Sequence, residues 1–317
     1  MYVQYLDYEL LLNREFLGVL EDVVDSARRR VYVATYVASL SDATKGVYYA
    51  LAYKQREGLD VKVVLNGASQ ESLRYNTATA EFLRSLGVRG VKLTSKFTHV
   101  KLYIADDYFI VGSHNLTASG YLSRYEVSVM VRSREMSDRL SELFHSILLS
   151  EEVGPVVYRG LLGSGTYYEV SANTRVLQSI YDRVRYAKRR VKVLMYIATL
   201  SKATRPLYRL LKEKESAGLD VAVLLNGTSE LSRRYNGPVA EYLRSLGLRR
   251  VLLSGRFVHA KLLVVDDCVV IGSHNLTSSS VAGRLELSVA IESRSLANAL
   301  DTLFEDVYEM EELLKQR

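Results

Sequence analysis

Four of the five histidines in this chain fall in two copies of one pattern, separated by the same offset throughout (His99 to His259 is 259 − 99 = 160 positions). The first copy reads His99-Val-Lys101-Leu-Tyr-Ile-Ala-Asp106 and continues to Gly112-Ser113-His114-Asn115. The second reads His259-Ala-Lys261-Leu-Leu-Val-Val-Asp266 and continues to Gly272-Ser273-His274-Asn275. An imidazole can attack phosphorus, and an ammonium can bind the oxygens around it. Supplied twice, the two groups provide what a two-step phosphodiester transfer needs. On a strand, His99 and Lys101 project to one face, so both can reach one phosphate. Asp106 and Asp266 lie at an odd offset from their histidines and at a turn, which assigns them to organising a hairpin rather than touching the ligand. Gly112 permits a close backbone approach, while Ser113 and Asn115 offer hydroxyl and amide donors to non-bridging oxygens. Ser273 and Asn275 repeat those donors in the second copy.

The elements that must position these residues are duplicated as well. Gly58-Leu-Asp-Val recurs as Gly218-Leu-Asp-Val, Leu65-Asn66-Gly67 as Leu225-Asn226-Gly227, and Leu83-Arg84-Ser85-Leu86-Gly87 as Leu243-Arg244-Ser245-Leu246-Gly247, all without a gap. Such a repeat predicts two lobes of one fold. The seam falls near 151–166, where Gly154-Pro155, Gly160, Gly163 and Gly165 cluster, giving lobes at 1–155 and 156–317. Within the first lobe, Val31 to Ala38, Val61 to Leu65 and Val127 to Val131 read as strands. Ala43 to Glu57, Thr79 to Leu86 and Ser137 to Leu149 read as helices. Phe97 to Ala105, the Asp106-Asp107 turn and Tyr108 to Val111 read as a hairpin. Strands alternating with helices predict an α/β class, each lobe a mixed β-sheet flanked by helices and the two packed as a pseudo-twofold dimer.

Composition agrees with a globular chain of 317 residues that is 48% hydrophobic and 25% charged. The net charge of +6 leans towards a polyanionic partner. The single cysteine, Cys268, forms no internal disulfide and sits in an apolar run, where it reads as a small core residue. Acidic residues in the first turns and the lack of an apolar stretch of about 18 residues argue against a secretory leader or a membrane span. The expectation is a soluble, cytoplasmic protein.

The doubled H-x-K-x4-D and G-S-x-N patterns resemble the phospholipase D superfamily, and the resemblance covers both repeats. One residue fewer than is usual in that family separates each Asp from the following Gly, in both copies. Retention of Asp106 and Asp266 departs from the tyrosyl-DNA phosphodiesterases of the family. The resemblance implies that the two motifs face each other and build one site at the lobe interface. It implies that one histidine attacks phosphorus to form a phosphohistidine while the other protonates the leaving oxygen and then deprotonates water. In that scheme His99 is taken as nucleophile and His259 as general acid/base. Lys101, Lys261, Asn115 and Asn275 clamp the phosphate, with Ser113 and Ser273 assisting. Glu126 and Glu286, each 27 residues after its histidine, match the carboxylate that the family bonds to a catalytic imidazole. The resemblance implies no metal and no other cofactor, because the two lysines supply the positive charge.

His114 and His274 then fall to loop neighbours without a metal role, and His145, without a counterpart in the repeat, to a helix surface. Arg74-Tyr75-Asn76 and Arg234-Tyr235-Asn236 read as a polar loop between strand and helix. There Arg74, Tyr75, Arg234 and Tyr235 could pair with phosphate and stack on a base, or the loop could simply be structural. Arg28 to Arg30 and Lys188 to Arg190 read as the ends of helices, while Lys96 and Arg256, three residues before each histidine, are placed to meet a polyanion. The leading expectation is a metal-independent nuclease acting on DNA or RNA as a two-lobed monomer, with a higher oligomer left open. The alternatives are a phospholipase or phosphatidyltransferase acting on membrane lipids, and a nucleic-acid-binding module of a defence or repair complex.

Overall fold

Residues 7–118, 125–150, 152–278 and 284–315 are described by a computed structural model. Buried β-branched segments and amphipathic helices follow one another in each half. In the first they run β1 (Tyr8–Leu12), α1 (Glu15–Ser26), β2 (Arg30–Thr35), α2 (Asp42–Arg56), β3 (Asp60–Asn66), α3 (Gln70–Ser85), β4 (Gly90–Thr94), β5 (Lys101–Ala105), β6 (Tyr108–Gly112), β7 (Val127–Arg132) and α4 (Arg134–Leu149). The second half opens with an additional strand, β8 (Val156–Leu161). It continues with β9 (Tyr167–Ala172), α5 (Thr174–Tyr186), β10 (Arg190–Met195), α6 (Arg205–Ser216), β11 (Asp220–Asn226), α7 (Glu230–Ser245), β12 (Arg250–Ser254), β13 (Lys261–Val265), β14 (Cys268–Gly272), β15 (Leu287–Glu292) and α8 (Arg294–Lys315).

Each half builds one mixed sheet. The first runs β1-β7-β6-β5-β2-β3-β4 and the second β12-β11-β10-β13-β14-β15-β9-β8. In each sheet the crossover strands pair in parallel and the hairpin strands antiparallel. Side-chain alternation divides the strands between two apolar layers. Leu102 and Ile104 of β5 enter a central core with Leu262 and Val264 of β13, while Tyr103 and Leu263 face the outer cores beneath the remaining helices. Helices α4 and α8 also send residues such as Phe144 and Phe304 into the central core. The two sheets therefore share one interior, and what lies between them is covered from both sides.

Glycines of the G-S-x-N segments serve this packing. A Cβ at Gly112 would strike Ser128 of β7, and one at Gly272 would strike Ser288 and the carbonyl of Leu287. The close approach is to the neighbouring strand.

Several boundaries differ from the sequence expectation. β2 ends at Thr35 and not Ala38, and β5 begins at Lys101 and not Phe97, because His99 turns its backbone towards the other lobe. Helix α3 begins at Gln70, where Ser69 caps it by accepting a hydrogen bond from Ser72 N–H, and so takes in Arg74, Tyr75 and Asn76. These are helical residues, as are Arg234, Tyr235 and Asn236 in α7. Helix α1 stops at Ser26 and α5 at Tyr186, so Arg28 to Arg30 and Lys188 to Arg190 follow the helices instead of ending them.

The backbone of those basic triplets is held by the motif aspartates. Asp106 accepts from the N–H groups of Arg28, Arg29 and Arg30 at 2.7, 3.0 and 3.0 Å. Asp266 accepts from Lys188, Arg189 and Arg190 at 2.8, 2.8 and 3.1 Å. Both aspartates sit at the hairpin turn with left-handed φ of 51° and 53°, a conformation that Asp tolerates. Replacing Asp106 by Ala strands three donors, so the free energy of unfolding in a denaturant titration should fall by about 1–3 kcal/mol. No change in stability would show that the turn does not depend on the carboxylate.

Candidate active site

The chain approaches the site along short cross-lobe bridges. His99 N–H donates to Leu285 O at 2.9 Å, and in the repeat-related place His259 N–H donates to Tyr125 O at 3.0 Å. Parallel bridges join Thr98 to Leu285 and Tyr125 to Val258. Asn66 and Asn226 brace the same segments, accepting through Oδ1 from Thr98 N–H at 2.9 Å and Val258 N–H at 3.2 Å.

Each imidazole meets a carboxylate from the opposite lobe. His99 Nδ1 lies 3.1 and 3.0 Å from Glu286 Oε1 and Oε2, and His259 Nδ1 lies 3.0 Å from Glu126 Oε2. With Nδ1 committed, Nε2 of each ring is the nitrogen left for chemistry. The spacing of 27 residues within one repeat thus marks the right residue types, while the partners cross over.

Ser113 and Ser273 position those carboxylates. Ser113 Oγ donates to Glu126 Oε2 at 2.7 Å and accepts from Val127 N–H at 3.0 Å. Ser273 Oγ donates to Glu286 Oε2 at 2.5 Å and accepts from Leu287 N–H at 3.0 Å. Both hydroxyls are buried and spent on this task, so they orient the carboxylates and are not the direct phosphate donors that the sequence suggests. Asn115 and Asn275 turn Oδ1 towards Val37 N–H and Ile197 N–H at 3.4 and 3.2 Å.

Lys101 and Lys261 are fully buried. Lys101 Nζ donates to the carbonyl of His99 at 2.7 Å and Lys261 Nζ to that of His259 at 2.6 Å. Each ammonium also lies over a tyrosine ring, Lys101 5.4 Å from Tyr36 and Lys261 4.9 Å from Tyr196. Those rings meet His99 and His259 edge-on at 4.8 and 4.7 Å. Tyr36 and Tyr196 belong to neither histidine motif, although they repeat at the common offset. That repetition in an otherwise variable strand end was the available signal.

Electrostatics differ between the repeat-related halves. Burial pushes Glu286 up to about 7, against Lys101 and the Ser273 hydrogen bond. Burial also acts on Glu126, but the His259 imidazole holds it down to about 2. His99 lies well below the ordinary imidazole value through burial and the ammoniums of Lys101 and Lys261. Burial brings His259 down to about 3, against the pull of Glu126, and Lys261 down to about 8. At neutral pH the His259–Glu126 pair is therefore a neutral imidazole on a carboxylate. In the His99–Glu286 pair, burial instead favours the protonated carboxyl.

His114 and His274 lie in the loops that follow β6 and β14, as expected, and are buried there. Their Nδ1 atoms bond Ser128 and Ser288, and His114 stacks on Phe16 at 4.6 Å. His145 is half-buried with its ring edge on Tyr32, which corrects its assignment to the helix surface. Asn76 is buried, bridging Ala38 N–H, Tyr36 O and Asn66 O, whereas Arg74 and Tyr75 are exposed on α3; Asn236, Arg234 and Tyr235 repeat the division on α7. Among the described residues no group of three His, Cys, Asp or Glu side chains is arranged to hold a metal ion. No helix among them is long and apolar enough to cross a membrane.

Comparison with known proteins agrees with this geometry. The family described as "Cardiolipin synthase, PLD-like domain" matches the chain twice, at residues 20–148 and 180–308. The crystal structure of phosphatidylserine synthase from Haemophilus influenzae Rd KW20 superposes with a TM-score of 0.73 at 14% identity, over 97% of this chain and 87% of that one. Polyphosphate kinase from Porphyromonas gingivalis does so with a TM-score of 0.61 at 12% identity, over 94% of this chain and 50% of that one. An uncharacterized protein of Streptococcus mutans is 30% identical over 120 residues, a match that spans 36% of this chain and only 25% of that relative's length. With both halves matched by that family and their motifs joined at one interface, the chain belongs to the phospholipase D-like superfamily as a two-lobed member.

Proposed function

We propose that this chain is a metal-independent nuclease that hydrolyses DNA or RNA through a phosphohistidine at the single interlobe site. The observation that carries the catalytic part is the pair of crossed carboxylate–imidazole bonds, which leave two Nε2 atoms and two ammoniums at one interface. The basic balance of the chain favours a polyanion as substrate, as do the exposed arginines and tyrosines at 74, 75, 234 and 235.

The proton inventory supports an order of events opposite to the one expected from sequence. His259, neutral and backed by ionised Glu126, attacks phosphorus through Nε2. As the bond from phosphorus to the leaving oxygen breaks, His99 passes the proton held with Glu286 to that oxygen. In the second step His99 takes a proton from water, the water oxygen attacks phosphorus, and the bond to His259 breaks to release a phosphomonoester. Lys101 and Lys261 stabilise the charge gathering on the non-bridging oxygens, and the Asn115 and Asn275 amides assist. A bound phosphate also relieves the cost of burying two ammoniums near one another.

A second reading, headgroup exchange on membrane lipids, is favoured by the shared fold of the Haemophilus synthase and by the description of the matched family. Single-stranded DNA and RNA incubated in excess EDTA should be cleaved, and His259→Ala should abolish cleavage. Turnover of phosphatidylglycerol vesicles with nucleic acids left intact would replace the nuclease reading by the lipid one.

The order of the histidines is open to a separate test with bis(p-nitrophenyl) phosphate, whose leaving group departs without a proton. His99→Ala should release a burst of nitrophenolate equal to the enzyme concentration and then stall as the trapped adduct. His259→Ala should release none. The reverse result would make His99 the nucleophile.

Lys261 loses its charge as pH rises through about 8, so kcat/KM should fall across that value. The Glu126 carboxylate holds the ammonium up, and the residual activity of Glu126→Gln should therefore fall at lower pH than that of the wild type. An unmoved alkaline limb would show that Lys261 does not set it.

A further inference from the structure

The two repeats contribute equivalent candidate groups, yet the packing beside their histidines differs. Beside His259, the last turns of α8 fill the corner below β12. Glu311 accepts from Gly255 N–H at 2.6 Å, Arg256 N–H at 3.2 Å and Ser254 Oγ at 2.9 Å. Beside His99, α4 ends six residues sooner than α8 does relative to the repeat (α4 has 16 residues and α8 has 22). The chain leaves through Ser150 in a left-handed turn of φ 58°, while position 151 lies outside the described residues. A cleft of about 450 Å³ opens there.

Its lining is suited to an anion. Lys96 and Arg284 contribute two positive charges against one negative charge from Glu152. Arg284 is held in place by stacking 4.6 Å over the Phe97 ring. Two residues that line the cleft, Thr98 and Ser150, carry buried hydroxyl oxygens without a hydrogen-bond partner. A buried hydroxyl without a partner is costly, and a ligand oxygen would satisfy it. Thr98 is 2% exposed, and its repeat equivalent is the apolar Val258. The polar side chain therefore occurs only on the side that has the cleft.

The cleft adjoins the catalytic centre. Leu285, in its wall, accepts the His99 N–H bond, and Phe97 packs at 5.5 Å on Tyr36, whose ring meets His99. Its volume suits a single nucleotide-sized group.

We propose that this cleft is a second anion site, which holds the phosphate next to the scissile one in a single-stranded nucleic acid. Lys96 and Arg284 pair with that phosphate, and the Thr98 and Ser150 hydroxyls donate to it. The proposal rests on the nuclease reading, and it breaks the symmetry of the site: a strand binds with its longer part on the His99 side.

The test uses the full chain and two trinucleotides, one natural and one with an uncharged methylphosphonate at the phosphate flanking the cleaved position. The wild type should lose about tenfold in kcat/KM when that charge is removed, the scale of one charge-assisted contact. The double variant Lys96→Ala/Arg284→Ala should lose about as much on the natural trinucleotide and little more on the methylphosphonate. Thr98→Val, which installs the residue used by the other repeat, should show the same pattern with a smaller loss and guards against a misfolded double variant. Equal losses by the variants on both trinucleotides would overturn the proposal, as would wild-type indifference to the methylphosphonate while the natural strand is cleaved. Hydrolysis of bis(p-nitrophenyl) phosphate without cleavage of either trinucleotide would instead overturn the nuclease reading, and the proposal with it. A loss confined to turnover of phosphatidylglycerol vesicles would assign the cleft to a lipid headgroup and also overturn it.

Discussion

Two carboxylates, two imidazoles and two ammoniums are enclosed between the sheets, and no lobe holds a complete set of partners. Glu286 reaches His99 across the interface, and Glu126 reaches His259. Charges buried this deeply are tolerated only when paired and hydrogen-bonded, so the register of one lobe on the other becomes a condition of stability as well as of chemistry. The cross-lobe backbone bridges and the shared central core set that register. So do two repeat-related pairs in which tyrosines of the central core take part, Tyr8 with Ser293 and Tyr168 with Ser133, at 2.6 and 2.8 Å.

Equivalent residues in this arrangement are not equivalent in charge. Burial raises both carboxyls, but the His259 imidazole outweighs it at Glu126 while Lys101 and Ser273 do not outweigh it at Glu286. A two-step displacement requires one histidine without a proton and one with a proton, and a perfectly symmetric site would have no fixed way of assigning them. In the proposed mechanism the raised Glu286 carboxyl supplies that bias, and the unequal lengths of α4 and α8 add a second difference between the halves.

Much of this was legible in the sequence because duplication writes each functional residue twice. The common offset exposed His99 with His259, Lys101 with Lys261 and Glu126 with Glu286, and alternation along strands located the sheets. Crossing of the carboxylates was not legible. It joins residues 187 and 133 positions apart and follows from how two finished lobes dock, which no local pattern encodes. The serines of G-S-x-N carry the same lesson, since a hydroxyl that could serve a phosphate was needed to orient a carboxylate. The Arg74-Tyr75-Asn76 segment was read as a loop because its polarity outweighed the Ser69 cap; its true signal was Asn76, a buried brace among exposed helical neighbours.

Crossed partners also govern when activity can arise during synthesis. While only the first half of the chain has left the ribosome, His99 lacks Glu286, and Glu126 has no imidazole to hold. The nascent lobe holds neither of the two crossed carboxylate–imidazole pairs. On the proposed function, hydrolytic capacity then arises in one step, when the second half has been made and has docked, and a chain truncated before Glu286 lacks the partner of His99.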